Sequence, residues 1–356
     1  MKKIITIFLL IALLIIPQLG CNSQVNNQGV SKSSYHLNTF CTITIYSMTN
    51  DDQLSEGELE AKAISLITDA YKLCDDYEKI LSKTIDGSDV YKVNHAGGQA
   101  VEVSDTTIEV VNKGLEYSRL SSGAFDITIG KASDLWNFQE MDDTGNRIGT
   151  VPEASLIAEA MNHVGYSNVV IEGNTIRLID PQCELDLGGI AKGYIADRVA
   201  DFLEEEGVTS AVVDLGGNIV VIGEKGASIE EAEGIEFNVG IADPNSSNLL
   251  GVVSCKDKTV VTSGTYERYF EIDGKRYHHV LDTKTGYPAD TDLLSVTIIA
   301  EKGQSVDCDG LSTSCLALGK EKGLQLIKGI DKVQAIFVDK DGNMTMSSDH
   351  IPFTKY

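Results

Sequence analysis

Basic residues are scarce in this chain. Against 53 aspartates and glutamates stand 29 lysines and arginines, for a formal charge of −24 over 356 residues. A surface of that sign repels nucleic acid and anionic lipid headgroups, so nucleic acid is not an expected partner. Any anionic ligand must then be held locally, by a metal ion, a placed lysine or helix N-termini. The 7 cysteines include no Cys-x-x-Cys pair, which argues against a zinc site, and scattered cysteines in a domain of this size read as buried thiols. The P-loop pattern is missing as well. With only 6 prolines, no tandem repeat and no internal linker, the expectation is one compact domain with a substantial core.

The long apolar run at the N-terminus is too short for a comfortable membrane span, which takes about 20 residues. Lys2 and Lys3 precede the uncharged stretch from Ile4 to Ile16, and Pro17-Gln18-Leu19-Gly20-Cys21 follows. This is the layout of an export signal. Cys21 after Gly20 resembles the lipidated cysteine of a bacterial lipoprotein, although Gln18 departs from the aliphatic residue usual three places before it. The expected organisation is a signal peptide over 1–20, a lipidated polar tether over 21–34 and a folded domain over 35–356. The domain would then be anchored on the extracytoplasmic face of the cell membrane. Loss of residues 1–20 removes Lys2 and Lys3 and no acid, taking the charge from −24 to −26.

What is present is a mixture of two periodicities. Thr39 to Tyr46 alternates as a strand, and Leu59 to Tyr77 repeats apolar residues at helical spacing. Helices are also expected near Ile108–Leu115, Glu153–His163, Ile190–Glu205, Asp309–Leu318 and Gly323–Ile330. Strands are expected at 169–179 as a hairpin, 211–222 around a glycine turn, 237–241, 252–254, 259–261, 294–300 and 334–338. Strands joined both by hairpins and by helices predict an α+β fold, a single compact domain of mostly antiparallel sheets flanked by helices. The aromatic cluster around Trp136 reads as core.

One stretch stands out, Asp186-Leu-Gly-Gly-Ile-Ala-Lys-Gly193, which places an acid, a glycine pair and Lys192 at the start of an amphipathic helix. Asp-Leu-Gly-Gly recurs at Asp214–Gly217, so two tight turns could bring backbone close to one extended ligand. Asp309 and Thr313 are four apart on one helical face and together offer a carboxylate and a hydroxyl suited to Mg²⁺; equally, Asp307 or Asp309 could cap that helix. His279 is either a general base or a strand-end histidine bonded to backbone. Lys192 either neutralises phosphate or sits solvated, and its pairing with Asp186 could be structural. Asp126, following Phe125, needs either a ligand amide or a local backbone partner to offset its burial.

Taken in order, Ser122-Gly-Ala-Phe-Asp126, Asp186–Gly193, Thr262-Ser-Gly264, His279-Val-Leu-Asp-Thr-Lys-Thr-Gly286 and Asp309-Gly-Leu-Ser-Thr313 resemble the blocks of the FAD:protein FMN transferase (ApbE-type) family. The resemblance runs from about Leu37 to the C-terminus. It implies a Mg²⁺-dependent enzyme that takes FAD as substrate, passes FMN to a threonine of an exported flavoprotein and releases AMP. It also implies roles. Asp309, Thr313 and the carbonyl of Gly189 would hold the metal; Ala124, Phe125, Asp126, Asp186, Lys192 and Leu281 would bind FAD; His279 would act as base. The chain departs from the family at Leu37-Asn38-Thr39, at Ser82-Lys83-Thr84, where an aromatic is usual, and at Asp282-Thr283 in place of Asp-Pro, a change expected to affect only turn rigidity. An FAD pyrophosphatase and a non-catalytic flavin-binding lipoprotein are the alternatives.

Overall fold

A computed structural model describes residues 29–49, 53–138, 140–141, 147–225 and 234–356. The N-terminal third runs β1 (Val30–His36), β2 (Thr39–Met48), α1 (Glu56–Leu81), α2 (Asp89–Asn94), β3 (Val101–Glu102), α3 (Asp105–Leu120) and α4 (Gly130–Trp136). Next come α5 (Ala154–Met161), β4 (Val169–Glu172), β5 (Thr175–Leu178), α6 (Ala191–Glu205), β6 (Val208–Leu215) and β7 (Asn218–Ile222). Then follow β8 (Phe237–Ala242), β9 (Leu249–Cys255), β10 (Lys258–Gly264), β11 (Tyr269–Ile272), β12 (Lys275–His278) and β13 (Leu293–Glu301). The chain closes with α7 (Ser305–Leu318), α8 (Lys320–Lys328), β14 (Gln334–Asp339), β15 (Met344–Met346) and β16 (Phe353–Lys355).

The centre is a sheet of eight strands in the order β1-β2-β6-β7-β10-β13-β14-β15, and its neighbours pair antiparallel. Period-two alternation sends consecutive side chains to different cores. Val220, Val261 and Ile298 face the layer of α1, α6 and α7, while Val221, Val260 and Ile299 face the small sheet β16-β9-β8. The α+β class with mostly antiparallel sheets is therefore the observed one. A third cluster gathers Trp136, Phe138, Phe270 and Leu281; Trp136 is fully buried and donates from Nε1 to the Gly286 carbonyl at 2.8 Å. Cys41, Cys74, Cys183, Cys255, Cys308 and Cys315 are buried free thiols. Cys21 and the expected signal segment lie outside the described residues.

The strand β1 begins at Val30, inside the segment expected to be tether through Ser34. It is fixed there because Val30–His36 pairs residue for residue with Ile45–Thr39. The hairpin turns on Leu37 and Asn38, both at positive φ (53° and 57°), the geometry of a tight two-residue loop. Two helices differ from expectation, one at its start and one at its end. The helix α7 begins at Ser305, four residues before Asp309, and α1 extends to Leu81, which carries the chain directly to Ser82-Lys83.

Candidate functional site

Both flanks of the site depend on the contact between α6 and α7. Gly193 allows the two helices to approach: a Cβ there would stand 2.2 Å from the Ser305 carbonyl oxygen and 2.8 Å from Asp309 Cβ. Asp197, one turn further along α6, accepts the Ser305 and Val306 amides at 3.0 and 3.1 Å and so caps α7 from outside. Neither Asp307 nor Asp309 is the cap. Asp307 instead accepts from Lys113 Nζ and the Tyr117 hydroxyl, both at 2.7 Å. Asp309 Oδ2 accepts the Gly193 amide at 2.9 Å, and its Oδ1 has no hydrogen-bond partner among the described residues. Burial pushes the Asp309 carboxyl up, against the pull of Lys192, the Gly193 amide and the nearby Asn218 amide.

Thr313, one turn beyond Asp309, shares its hydroxyl with Ser263 Oγ at 3.3 Å, and Ser263 is in turn 2.8 Å from Ser312 Oγ. Gly189 approaches from the other side: a Cβ there would meet Thr313 Oγ1 at 3.7 Å and Phe125 at 3.0 Å. A buried carboxylate with a free oxygen, a hydroxyl and a glycine backbone make a hard-oxygen donor set. Among the described residues no three His, Cys, Asp or Glu side chains gather as a metal cluster. A cation held here would rest on one carboxylate, neutral oxygens and the phosphates of a ligand, which suits Mg²⁺.

These groups open onto a cleft of about 450 Å³. Ala124, Phe125, Asp126, Asp186, Gly189, Lys192, His279, Leu281, Asp309 and Thr313 all line it, so every folded position given a site role by the resemblance comes to one place. Their settings differ. Asp126 is buried and already satisfied, accepting from Thr128 N (2.9 Å) and Oγ1 (2.7 Å) and from Tyr166 N (2.9 Å). It shapes the loop around Phe125. Asp186 accepts the Gly188 amide (2.9 Å) and the Ser133 hydroxyl (3.0 Å) and pairs with Lys83 Nζ at 3.1 Å. Burial acts against its charge, but the Lys83 ammonium and these donors prevail and hold it below the usual carboxylate range. Asp186 therefore pairs with Lys83, and Lys192 makes no ion pair with any described residue. Lys192 is left as a cation facing the cleft.

His279 is placed at the end of β12, where its Nδ1 lies 3.3 Å from the Arg268 carbonyl. A carbonyl only accepts, so Nδ1 carries the hydrogen and Nε2 keeps its lone pair. Burial, with Arg268, His278 and Lys192 nearby, lowers the imidazole to about 3, so the ring is neutral at physiological pH. Thr283 does more than loosen a turn: its hydroxyl donates to the Gly123 carbonyl and ties the His279 loop to the Phe125 loop. A second cavity of about 370 Å³ shares Asn38, Lys192, Glu267 and Arg268 with the first and is lined by Gly216 and Gly217. The repeated Asp-Leu-Gly-Gly turns thus reach two cavities with a common wall.

A family model described as the ApbE family matches residues 37–337. The chain belongs to that family. Relatives include an FAD:protein FMN transferase of Treponema pallidum, 33% identical over 341 residues and covering 92% of this chain and 90% of that one. Another, from Klebsiella pneumoniae, is 36% identical over 289 residues, covering 80% and 85%. Among solved structures, the ApbE protein of Thermotoga maritima superposes with a TM-score of 0.75 at 29% identity, covering 89% of this chain and 96% of that one. The flavin transferase ApbE of Vibrio cholerae gives 0.74 at 25% identity, covering 90% and 96%.

Sequence reasoning missed several residues of the ApbE-family cleft. Lys83, which joins Asp186 and Asp134, was visible only as a departure at an aromatic position. Ser263 lies within the Thr262-Ser-Gly264 block, where its residue type alone gives no role. Ser133 and Arg268 carried no local signal, since their importance comes from which side chain or carbonyl lies across from them.

Proposed function

We propose that this chain is an FAD:protein FMN transferase, moving FMN from FAD to a threonine hydroxyl of a flavoprotein with release of AMP. The observation that carries the reading is the convergence of ten family-matched positions on one cleft that leaves Lys192, Asp309 Oδ1 and His279 Nε2 directed to a ligand rather than spent on the protein. The acceptor hydroxyl attacks the FMN-side phosphorus, the bond from that phosphorus to the AMP oxygen breaks, and the hydroxyl proton passes to His279 Nε2. Lys192 neutralises phosphate charge that an acidic protein otherwise repels. Asp309 and Thr313, with the Gly189 carbonyl, would hold Mg²⁺, which supplies charge neutralisation on the phosphates. An incoming polyanion favours the protonated imidazole and so raises the His279 pKa toward the range of a working base.

The test incubates the protein with FAD, Mg²⁺ and a candidate acceptor. Covalent flavin fluorescence on the acceptor, lost in excess chelator, is the expected result; free FMN and AMP without it would mean hydrolysis. His279→Ala is expected to lower transfer by about 10² to 10⁴-fold while leaving FAD binding in place. Equal transfer by both proteins would remove His279 from the proton step. We also infer lipidation of Cys21 and an extracytoplasmic location from the sequence of the leader. Fatty-acid labelling that persists in Cys21→Ser would overturn it. Among the described residues no helix is long and apolar enough to cross a membrane.

A further inference from the structure

A hydroxyl that attacks FAD must reach the phosphates while FAD already fills the main cleft, so it needs an approach of its own. The second cavity, about 370 Å³, shares Asn38, Lys192, Glu267 and Arg268 with that cleft, whereas a third, of about 900 Å³ around His278, shares no residue with it. Lys192 lies in the common wall, so the second cavity abuts the place where the phosphates are held. Three features of this cavity fit a polypeptide. The first is charge. Lys192, Arg268 and Arg147 line it and make no ion pair with any described residue; Arg147 donates only to the Phe138 carbonyl, at 2.6 Å. In a chain with 53 acids against 29 bases, three unpaired cations around one opening suit carboxylates brought from outside.

The second feature is an edge. Among the described strands β8 pairs with β9 alone, so its other edge carries unpaired backbone groups. A cavity on one face of a strand meets alternate residues; this one meets Val239 and Gly240 in succession and continues to Ala242, so it follows that edge. The third feature is a rim. Thr42, Asp214, Ile219 and Val260 form one row across β2, β6, β7 and β10, and Ile219 and Val260 line the cavity. Phe40 lies on the same face as Thr42, two residues nearer the hairpin tip. It is 74% exposed, and its ring meets that of Tyr35, 55% exposed, edge-on at 5.5 Å. Exposed aromatics beside an arginine are the composition of a protein-docking surface.

We propose that this cavity receives the threonine-bearing segment of the acceptor flavoprotein as a strand added along the free edge of β8. Arg147 pairs with a carboxylate of that segment, and the Tyr35–Phe40 pair packs against the surface around it. Main-chain pairing gives affinity for an extended segment of many sequences, and the cations select an acidic one. The proposal rests on the reading that FMN passes from FAD to a protein threonine, and the experiment keeps the two apart. The probe is the acceptor that takes covalent flavin in the transfer assay, together with a short synthetic peptide copied from around its labelled threonine.

If no acceptor is labelled, the transferase reading fails and this proposal with it. If one is labelled, Phe40→Ser is expected to raise the acceptor KM about 10-fold, with kcat and FAD affinity held within about twofold. Arg147→Gln, which keeps a donor for the Phe138 carbonyl, is expected to raise it about 5-fold and to remove most of its salt dependence. Hydrogen exchange across residues 237–242 is expected to slow when the peptide is added to the slow His279→Ala variant loaded with FAD, a readout that needs no change at the cavity. An acceptor KM within about twofold of the unsubstituted protein in either variant, a matching loss of FAD affinity, or unchanged exchange in β8 overturns the proposal. So does an unchanged KM in Phe40→Ser together with release from phosphatidylglycerol vesicles, which would give the aromatic pair to a membrane surface.

Discussion

Asp186-Leu-Gly-Gly189 and Asp214-Leu-Gly-Gly217 are the same four residues in two settings. In each, the aspartate closes a small loop by accepting a glycine amide at 2.9 Å, from Gly188 in the first and from Gly217 in the second. Beyond that they part. Gly216 and Gly217 sit at φ 66° and 89° and turn β6 back into β7, whereas Gly188 and Gly189 have no positive φ and lead into α6. The aspartates part as well. Lys83 outweighs burial and keeps Asp186 below the usual range, while burial wins at Asp214 and pushes it up. A short motif fixes the aspartate-to-amide loop; the partners across from it decide whether the glycines serve a turn or a ligand.

The largest effect that could break this comparison is on the backbone. Gly216→Ala would place a Cβ 2.3 Å from Thr39 Oγ1 at a left-handed φ, and a loss of about 3 kcal/mol is expected. Gly189→Ala meets only the edge of Phe125 at 3.0 Å and should cost below about 1 kcal/mol. Urea midpoints at constant slope measure both, and the opposite ranking would mean that the first turn carries the hidden strain.

A smaller effect lies in the charges. Asp186→Asn leaves Lys83 with only the half-exposed Asp134 and is expected to cost about 2 kcal/mol and to weaken FAD binding. Asp214→Asn can still accept the Gly217 amide and should stay within about 0.5 kcal/mol of the parent with FAD binding intact. Similar losses in both variants, read by denaturation and flavin fluorescence titration, would erase the distinction.

The smallest and sharpest effect is the sign of the pH dependence. The folded pKa of Asp186 is depressed, so its contribution is present above the unfolded value of about 3.9 and is lost as pH falls through the folded value. That of Asp214 is raised, so its contribution is present below about 3.9 and is lost as pH rises through the folded value. The stability difference between parent and Asp186→Asn should therefore shrink on acidification, and that between parent and Asp214→Asn should move in the parent's favour. Parallel slopes between pH 3 and 6 would show that the two carboxylates share one environment.

Much of the architecture was legible where apolar periodicity is strong. The helix α6 buries Ile195, Val199 and Leu203 as its spacing requires, and the alternating strands of the central sheet appear where alternation is clean. The strand β1 escaped notice because Ser31, Lys32, Ser33 and Ser34 offer no apolar face, and its place is fixed by pairing with β2. The start of α7 was misplaced because its cap, Asp197, is supplied by another helix rather than by a neighbour in sequence. The cleft positions could be read because their blocks are distinctive. Lys83 could not, since what matters there is a partner, Asp186, that only the fold places opposite it.

Asp197 also has a bearing on how the site comes into being. Its bonds to Ser305 and Val306 and the bond from Gly193 to Asp309 span 108, 109 and 116 residues of chain, so they close a long loop whose entropy must be overcome before the two halves of the site meet. During synthesis the Asp186–Asp197 stretch emerges well before its counterpart, when Lys83, Glu109 and Ser133, which hold Asp186 and Tyr194, have already been made. A partly made or C-terminally clipped chain can thus possess Lys192 and Gly189 yet lack the carboxylate, the hydroxyl and the helix that align them. Assembly of the reactive centre is in effect a completeness check on the polypeptide, passed only when the last helices have docked.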